Sequence, residues 1–383
     1  MKKNKKILFL VNDLSFFISH RLLIAETVFY KGYNVVIGYG ETGGADPLLL
    51  QKKGFKVESV FMQRGGIKLF NEFKTFFSIW KFFKKEKPEI VHLITIKPYL
   101  YGGIISQFLK ISSVVSAVSG LGTLFTSKNF KSVILHLLLY PIYKLAFNHY
   151  NQKVIVQNLD DLKILVDLGY LKLSKSKLIK GSGVNLDNFT KLKEKGVAPI
   201  ICFAGRLIKE KGVYEFISAA RLLRQKNINA RFLLAGSLDN KNPSSLSQKD
   251  LDRIKNEGYV EVLGYQKDIP ALYEKSHIVC LPSYREGFPK ALIEAAAAGR
   301  AVVTTDVPGC RDAVVPNKTG LIVPVKNTEK LAWAIQWLIE HSKERVAMGK
   351  AGRELAVKEF SIEKIIKEHL KIYRELSKKK DNY

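Results

Sequence analysis

The feature that most constrains this chain is an alternation of short aliphatic, β-branched runs with helix-like segments, which runs its course and then restarts. In the first half the strand-like runs are Ile7–Asn12, Asn34–Gly40, Lys56–Val60, Ile90–Thr95, Ser113–Val118, Lys153–Asn158 and Lys177–Gly181. In the second half they are Pro199–Gly205, Ala230–Gly236, Val260–Gly264, His277–Pro282, Ala301–Thr305 and Gly320–Val323. Continuous Val, Ile and Leu runs belong to strands buried on both faces, and strands separated by helices belong to parallel sheets. The fold class expected is α/β, with two Rossmann-like doubly wound domains facing a central cleft and ligands at the carboxyl ends of the strands.

The restart follows Lys191–Val197, a polar stretch without apolar periodicity. This predicts one domain over 1–190, a second over 191–360 and a C-terminal helix over 361–383. The apolar side of that helix (Ile362, Ile365, Ile366, Leu370, Tyr373) is expected to pack back on the first domain. A length of 383 residues suits two cores, and a hydrophobic fraction of 46% argues against disorder. Cys202, Cys280 and Cys310 are far apart and lack a Cys-x-x-Cys spacing, as expected of core thiols in a reducing compartment. The basic N-terminus leads into an apolar run that stops at Asn12-Asp13, too short for a signal peptide. Nothing in the chain reaches the roughly eighteen apolar residues of a membrane span. A cytoplasmic chain is expected.

Charge is the next constraint. The formal net charge is +27, and between Glu89 and Asp160 there is no acidic residue while Lys97, Lys110, Lys128, Lys131, Lys144 and Lys153 fall inside. Such a stretch calls for an anionic partner, either nucleic acid or the anionic inner face of a membrane. Two segments favour the membrane. Leu69, Phe70, Phe73, Phe76, Phe77, Trp80 and Phe83 recur at helical spacing among lysines, and Val133–Tyr150 is almost wholly apolar and aromatic. Either could instead be an ordinary amphipathic helix packed on a sheet. Against nucleic acid, no zinc spacing, recognition-helix pattern or RNA-binding signature accompanies the charge.

Two blocks carry chemistry. In Ser283-Tyr-Arg-Glu286-Gly287-Phe288-Pro289-Lys290-Ala-Leu292-Ile-Glu294, a strand runs into a loop and Pro289 stands where a helix begins. The helix N-terminus offers free backbone N–H groups to a diphosphate. Glu286 can accept hydrogen bonds from sugar hydroxyls, and Glu294 can reach a ribose diol. With 22 glutamates in the chain, a spacing of eight between two of them carries little by itself; the strand–Gly–Pro–helix context gives it meaning. In Ala204-Gly205-Arg206-Leu-Ile-Lys-Glu-Lys211-Gly212, Gly205 allows close backbone approach, and Arg206 and Lys211 can grip phosphate oxygens. Asp250-Leu-Asp252 matches a divalent-ion pattern of another transferase fold, yet it lies in a polar helix-like stretch with no strand before it. No metal ion is expected there.

Gly205-Arg206 with Lys211, together with Glu286 and Glu294 around Glu-Gly-Phe-Pro, resembles the donor-site signature of family 4 retaining glycosyltransferases of the GT-B fold. The similarity extends through Asn12-Asp13, His20-Arg21, Ser119–Gly122 and Gly181–Asn185. Within the family it is nearest to bacterial enzymes that extend polyprenyl-diphosphate-linked saccharides, notably N-acetylgalactosaminyltransferases of N-glycan assembly. The resemblance implies a UDP-sugar donor, a polyprenyl-diphosphate-linked sugar acceptor, peripheral attachment to the inner face of the cell membrane, and neither cofactor nor metal. It implies that Arg206 and Lys211 neutralise the leaving diphosphate and that Glu286 orients the donor sugar. Gly205, Gly236, Ser283, Gly287, Phe288, Pro289, Lys290, Leu292 and Glu294 would line the donor, and Asn12, Asp13, His20, Arg21, Lys97, Gly120 and Gly122 the acceptor. Where relatives place a loop histidine this chain has Lys97, while His92 reads as an in-strand core residue. Nucleotide-sugar 2-epimerases share the architecture and are the competing class; they would release epimerised donor without an acceptor.

Overall fold

The structure, a computed structural model, describes residues 5–63, 68–122, 139–190, 193–194, 196, 198–239 and 241–378. Among the described residues thirteen strands form two sheets, and every expected run has its counterpart. The first sheet contains β1 (Lys6–Asp13), β2 (Asn34–Glu41), β3 (Lys56–Ser59), β4 (Ile90–Ile94), β5 (Ser113–Val118), β6 (Gln152–Val156) and β7 (Ser176–Leu178), in the order β3-β2-β1-β4-β5-β6-β7. The second contains β8 (Ile200–Ala204), β9 (Arg231–Ala235), β10 (Glu261–Gly264), β11 (Ile278–Leu281), β12 (Ala301–Thr305) and β13 (Gly320–Val323), in the order β10-β9-β8-β11-β12-β13. The strand ladders described are parallel.

The two orders are the same doubly wound pattern. In each sheet the first strand lies between its second and fourth, so the winding direction reverses beside it, and ligands bind off the carboxyl ends at such a switch point. The reason for continuous apolar runs is visible in β1. Leu8 and Leu10 enter a core with Ile79, Phe82 and Phe83, while Ile7, Phe9 and Val11 enter a core on the other face with Ile24, Val28 and Ile365. A side-chain period of two therefore makes successive residues through the middle of such a strand apolar.

The chain divides into a unit of Met1–Ser182 with Lys364–Tyr383 and a unit of Gly183–Glu363. This differs from the boundary read at 190/191. Val184 bridges to Ser361, its N–H donating to the Phe360 carbonyl at 2.9 Å and its carbonyl accepting from Ile362 N–H at 3.0 Å, which ties the segment after Gly183 to the second unit. The C-terminal helix Ile362–Lys378 then belongs mostly to the first unit. Ile365, Ile372, Tyr373 and Leu376 are buried in the core around Ile7 and Phe9, and Asn151 donates to the Leu376 carbonyl at 2.8 Å. Each such side chain stabilises by about 1.5–3 kcal/mol when fully buried.

His92 is wholly buried in β4, and its Nδ1 shares a hydrogen bond of 2.6 Å with the Tyr373 hydroxyl. The three cysteines are free and buried, and burial pushes the Cys202 and Cys310 thiols up to about 12. Asp250 is consumed locally: with Ser247 it forms the capping box of helix Gln248–Glu257. Among the described residues no helix is long and apolar enough to cross a membrane. The helix Leu69–Glu86 buries Ile79, Phe82 and Phe83. Residues 139–146 are helical, with Tyr143, Ala146 and Phe147 buried, whereas 133–138 lie outside the described residues.

The buried histidines make an acid-labile core. The His92 and His369 rings lie 5.6 Å apart. Burial holds His92 well below the usual histidine range, and burial aided by the Arg21 charge holds His369 at about 3. The unfolded chain binds these protons near pH 6.5 and the folded chain does not. Stability is therefore fully present above about pH 7 and declines as pH falls toward 3, at up to about 1.4 kcal/mol per unit for each histidine. Calorimetry at pH 7 and pH 5 should show a lower Tm at pH 5, and His369→Leu should remove roughly half of what the His92–His369 pair contributes to that difference. A wild-type Tm unchanged between the two would contradict this account.

Candidate functional site

In the second unit, β8 and β11 are paired neighbours, Ile201 opposite Ile278 and Cys202 opposite Val279. Their carboxyl-terminal loops therefore emerge side by side, and these loops are the two chemistry-bearing blocks. Lys211 Nζ donates to Glu286 Oε1, which also accepts from Ser283 Oγ at 2.7 Å. The Tyr284 N–H donates to the Glu210 carbonyl at 2.8 Å. Gly212 adopts φ +73 where the turn Lys209–Lys211 passes into helix Val213–Gln225, and a Cβ there would strike the Pro282 carbonyl. Only glycine fits that position.

The end of β12 and the loop after it hold the β11 loop in place. Thr305 Oγ1 donates to the Ser283 carbonyl, Thr304 Oγ1 to the Leu281 carbonyl at 2.7 Å, and the Glu286 N–H to the Pro308 carbonyl at 3.3 Å. Gly309, at φ +78, lies directly against the Glu286 and Gly287 carbonyls. Helix Lys290–Ala297 starts behind Pro289, which sits at the N-cap and supplies no side-chain cap. Its first amides and positive dipole end suit an anion. Glu294 pairs with Lys290 at 3.2 Å; burial raises its pKa while Lys290 opposes the rise.

Several expected residues sit differently from one another. Arg206 is half-exposed and pairs with Asp239 at 2.9 Å, apart from the Lys211–Glu286 pair. Phe288 turns inward against Phe360, ring centroids 5.4 Å apart, and Leu292 is wholly buried. Their side chains belong to the core, leaving the Phe288 backbone for the loop. Gly236 packs on the Gly205 carbonyl, so its missing side chain serves strand-end packing, whereas a Cβ at Gly205 would make only ordinary contact, at 3.6 Å, with Phe203. Asp239 and Gly309 were not read from the sequence, and Glu210, Tyr284 and Gly212 stood inside the quoted blocks without a role. A glycine at the end of a strand-to-helix turn was the available signal for Gly212.

In the first unit the candidate residues cluster at the carboxyl ends of the adjacent strands β1, β4 and β5. Asp13 is the N-cap of helix Leu14–His20, its Oδ1 accepting from Phe16 N–H at 3.2 Å and Ser15 Oγ at 2.6 Å. The Asn12 N–H donates to Thr95 Oγ1 at 3.4 Å. Thr95 itself has φ +75, a strained conformation for a β-branched residue and one that concentrates at functional positions. His20 stacks on Phe16 with centroids 4.1 Å apart, and its Nδ1 contacts Ser19 Oγ at 2.6 Å. Arg21 is fully buried, its Nη1 donating to the His20 carbonyl at 3.0 Å, and burial lowers its pKa to about 10. Lys97 forms an ion pair of 2.6 Å with Glu72, whose other oxygen accepts from Tyr101 at 2.6 Å. Gly120 and Gly122 have φ of +125 and +67, and the Leu121 N–H between them donates to Asp161 at 3.3 Å. Among the described residues no group of three His, Cys, Asp or Glu could hold a metal ion.

The glycine contacts separate packing from room for a ligand. Gly236→Ala and Gly309→Ala should each destabilise by about 1–3 kcal/mol through steric conflict with carbonyl oxygens. Gly205→Ala should change stability by no more than about 0.5 kcal/mol. Thermal or denaturant unfolding of the three variants measures both statements.

Comparison with known proteins agrees with this geometry. Residues 6–158 match the family described as glycosyl transferase 4-like, and residues 185–355 match glycosyl transferases group 1. The chain is 31% identical over 337 residues to the N,N'-diacetylbacillosaminyl-diphospho-undecaprenol alpha-1,3-N-acetylgalactosaminyltransferase of Campylobacter jejuni, covering 85% of this chain and 87% of that protein. It is 26% identical to the UDP-Gal:alpha-D-GlcNAc-diphosphoundecaprenol alpha-1,3-galactosyltransferase of Escherichia coli, over 78% of each. Among solved structures, HepE of Anabaena in complex with UDP-glucose superposes with a TM-score of 0.76 at 18% identity, covering 97% of this chain and 99% of that one. Two parallel-sheet domains of the same winding and these matches together show that the chain is a glycosyltransferase of the GT-B fold, with a transferase 4-like first domain and a group 1 second domain.

Proposed function

We propose that this chain is a retaining, metal-independent transferase that moves N-acetylgalactosamine from UDP-GalNAc to an undecaprenyl-diphosphate-linked saccharide at an anionic membrane surface. The observation that carries the donor half is the Lys211–Glu286 pair held between the loops after β8 and β11, next to the uncapped start of helix Lys290–Ala297. The acceptor half rests on the two relatives whose own acceptors are diphospho-undecaprenol saccharides.

In this reading the donor diphosphate lies against Lys211, Arg206 and the amides behind Pro289. These fixed positive groups stabilise the charge that develops as the bond from the anomeric carbon to phosphate oxygen breaks, usually the largest electrostatic term in such a reaction. Glu286 accepts from donor-sugar hydroxyls, and its contact with Lys211 holds both groups in place before the donor arrives. Glu294 receives the ribose diol. The acceptor hydroxyl attacks the anomeric carbon on the face from which the diphosphate leaves and passes its proton to that phosphate oxygen. A nucleotide hexose such as UDP-galactose carries an α-linked sugar, so the α product in a relative's name fits retention. Asn12, Asp13, His20, Arg21, Lys97 and the Gly120–Gly122 turn line the acceptor side, with Lys97 near acceptor phosphate once it parts from Glu72.

Turnover with a panel of UDP- and GDP-sugars, in EDTA, with and without a polyprenyl-diphosphate-linked sugar, tests the reading. UDP release from UDP-GalNAc that requires the acceptor is expected; epimerised donor formed without acceptor would assign the chain to the isomerases. Glu286→Ala and Lys211→Ala should each lower kcat/KM by about 10²–10³. In Glu286→Ala nucleotide binding should persist by calorimetry, and unchanged turnover would remove Glu286 from the mechanism.

A further inference from the structure

Lys97 lies in a stretch of chain that cannot supply its counter-charge. No Asp or Glu occurs between Glu89 and Asp160, so any carboxylate it meets must come from another element. That element is helix Leu69–Glu86. Glu72, in its first turn, gives one carboxylate oxygen to Lys97 Nζ and the other to the Tyr101 hydroxyl, each at 2.6 Å. Lys97 and Tyr101 stand four residues apart on one helical stretch and so share a face. Tyr101 is braced in turn by Phe76, one turn beyond Glu72, with the rings edge to face at 6.2 Å. Burial and the bond to Glu72 raise the Tyr101 hydroxyl above the usual tyrosine range, so it is the donor.

The network is lopsided. Among the described residues Glu72 has two side-chain partners, whereas Lys97 has Glu72 alone. An ammonium carries three N–H donors, and with one engaged the others remain for a second anion. The position of Lys97 favours such a ligand. It follows β4, which pairs with β1 where the winding of the sheet reverses, and it stands off the carboxyl end of the strand. Thr95, just before it, is held at φ +75 and accepts from the Asn12 N–H, which ties this loop to the end of β1. Both members of the ion pair are 14% exposed: a ligand can reach them, yet neither is well solvated without a partner. A carboxylate left bare when Lys97 moved would oppose any anion that drew it away. Tyr101 lowers that barrier, because Glu72 keeps a charge-assisted hydrogen bond after the ammonium has gone.

We infer that Glu72 and Tyr101 are positioning residues that hold Lys97 in reserve and release it to the diphosphate of the acceptor. Glu72 is a stand-in anion. It keeps the ammonium beside the acceptor side while no ligand is present, and a diphosphate, with more charge and more oxygens, displaces it. Tyr101 sets how readily the exchange occurs. This exchange presupposes the acceptor reading given above and adds to it a competing charge within the chain.

The two residues should act in opposite directions, which a purely structural pair would not do. Glu72→Gln keeps an oxygen for Tyr101 but removes the competing charge. The KM for the polyprenyl-diphosphate-linked acceptor should therefore fall about three- to tenfold, with the change confined to that KM and absent from kcat. Tyr101→Phe leaves Glu72 poorly satisfied once Lys97 has moved, so the acceptor KM should rise by about the same factor. Lys97→Met should raise it as well, and in that background neither other substitution should shift it further. Circular dichroism and Tm check the fold of each variant. Inorganic pyrophosphate, titrated calorimetrically with UDP at saturation to fill the donor side, reads the same exchange without an acceptor. Its binding should tighten in Glu72→Gln, weaken in Tyr101→Phe and be lost in Lys97→Met. An acceptor KM that Glu72→Gln leaves unchanged or raises overturns the inference, as do effects of the same sign from Glu72→Gln and Tyr101→Phe. Should no acceptor be turned over, the pyrophosphate series decides alone. The expected order upholds the exchange while removing the acceptor proposed above, and equal affinities overturn the exchange itself.

Discussion

The second unit's site depends on the parallel pairing of β8 with β11. Lys211 and Glu286 are 75 positions apart in the chain, and only adjacency of their strands brings the loops into register. Once there, the ion pair is not alone. Ser283 shares the carboxylate, the Tyr284 N–H reaches the Glu210 carbonyl, and Gly212 lies flush with Pro282. Both charged side chains are largely removed from water, at 19% and 11% exposure, so each would be costly without the other. A site built this way is preorganised: its charges are positioned by the sheet and do not have to be collected by the ligand.

The first unit solves a different problem. Its sheet is completed on one face by a helix that comes from the far end of the chain, and the contact is polar at its centre. Arg21, His92, His369 and Tyr373 are all buried there, with the His92–Tyr373 hydrogen bond joining strand to helix. The same Arg21 donates to the carbonyl of His20 and interacts electrostatically with Tyr373, so the C-terminal helix and the segment after β1 share one buried cation. Packing of distant segments thus bears directly on the geometry of a loop at the end of β1.

Surface composition divides along the same lines. Apolar residues at helical spacing in Leu69–Glu86 satisfy the core only where the helix crosses the sheet; toward its start, identical residue types face water. Periodicity registers that a helix has an apolar side. It does not register how far along its length that side is covered, because coverage depends on the reach of the neighbouring elements.

The sequence by itself determined the parallel α/β class, the strands found among the described residues, the helix start at Pro289 and the core place of His92 and the cysteines. All of these follow from local patterning: strands buried on both faces must be continuously apolar, and a proline before a helix marks its first turn. Tertiary structure alone decided the partners. It placed Lys211 with Glu286 but Arg206 with Asp239, gave Lys97 to Glu72, and turned Phe288 and Leu292 into the core. It also set the unit boundary at Gly183, through the bridge from Val184 to Ser361. The physical reason is range. Propensity and periodicity act over a few residues, whereas the charge a side chain meets, and whether it meets water, are fixed by strands and helices that arrive from elsewhere in the chain.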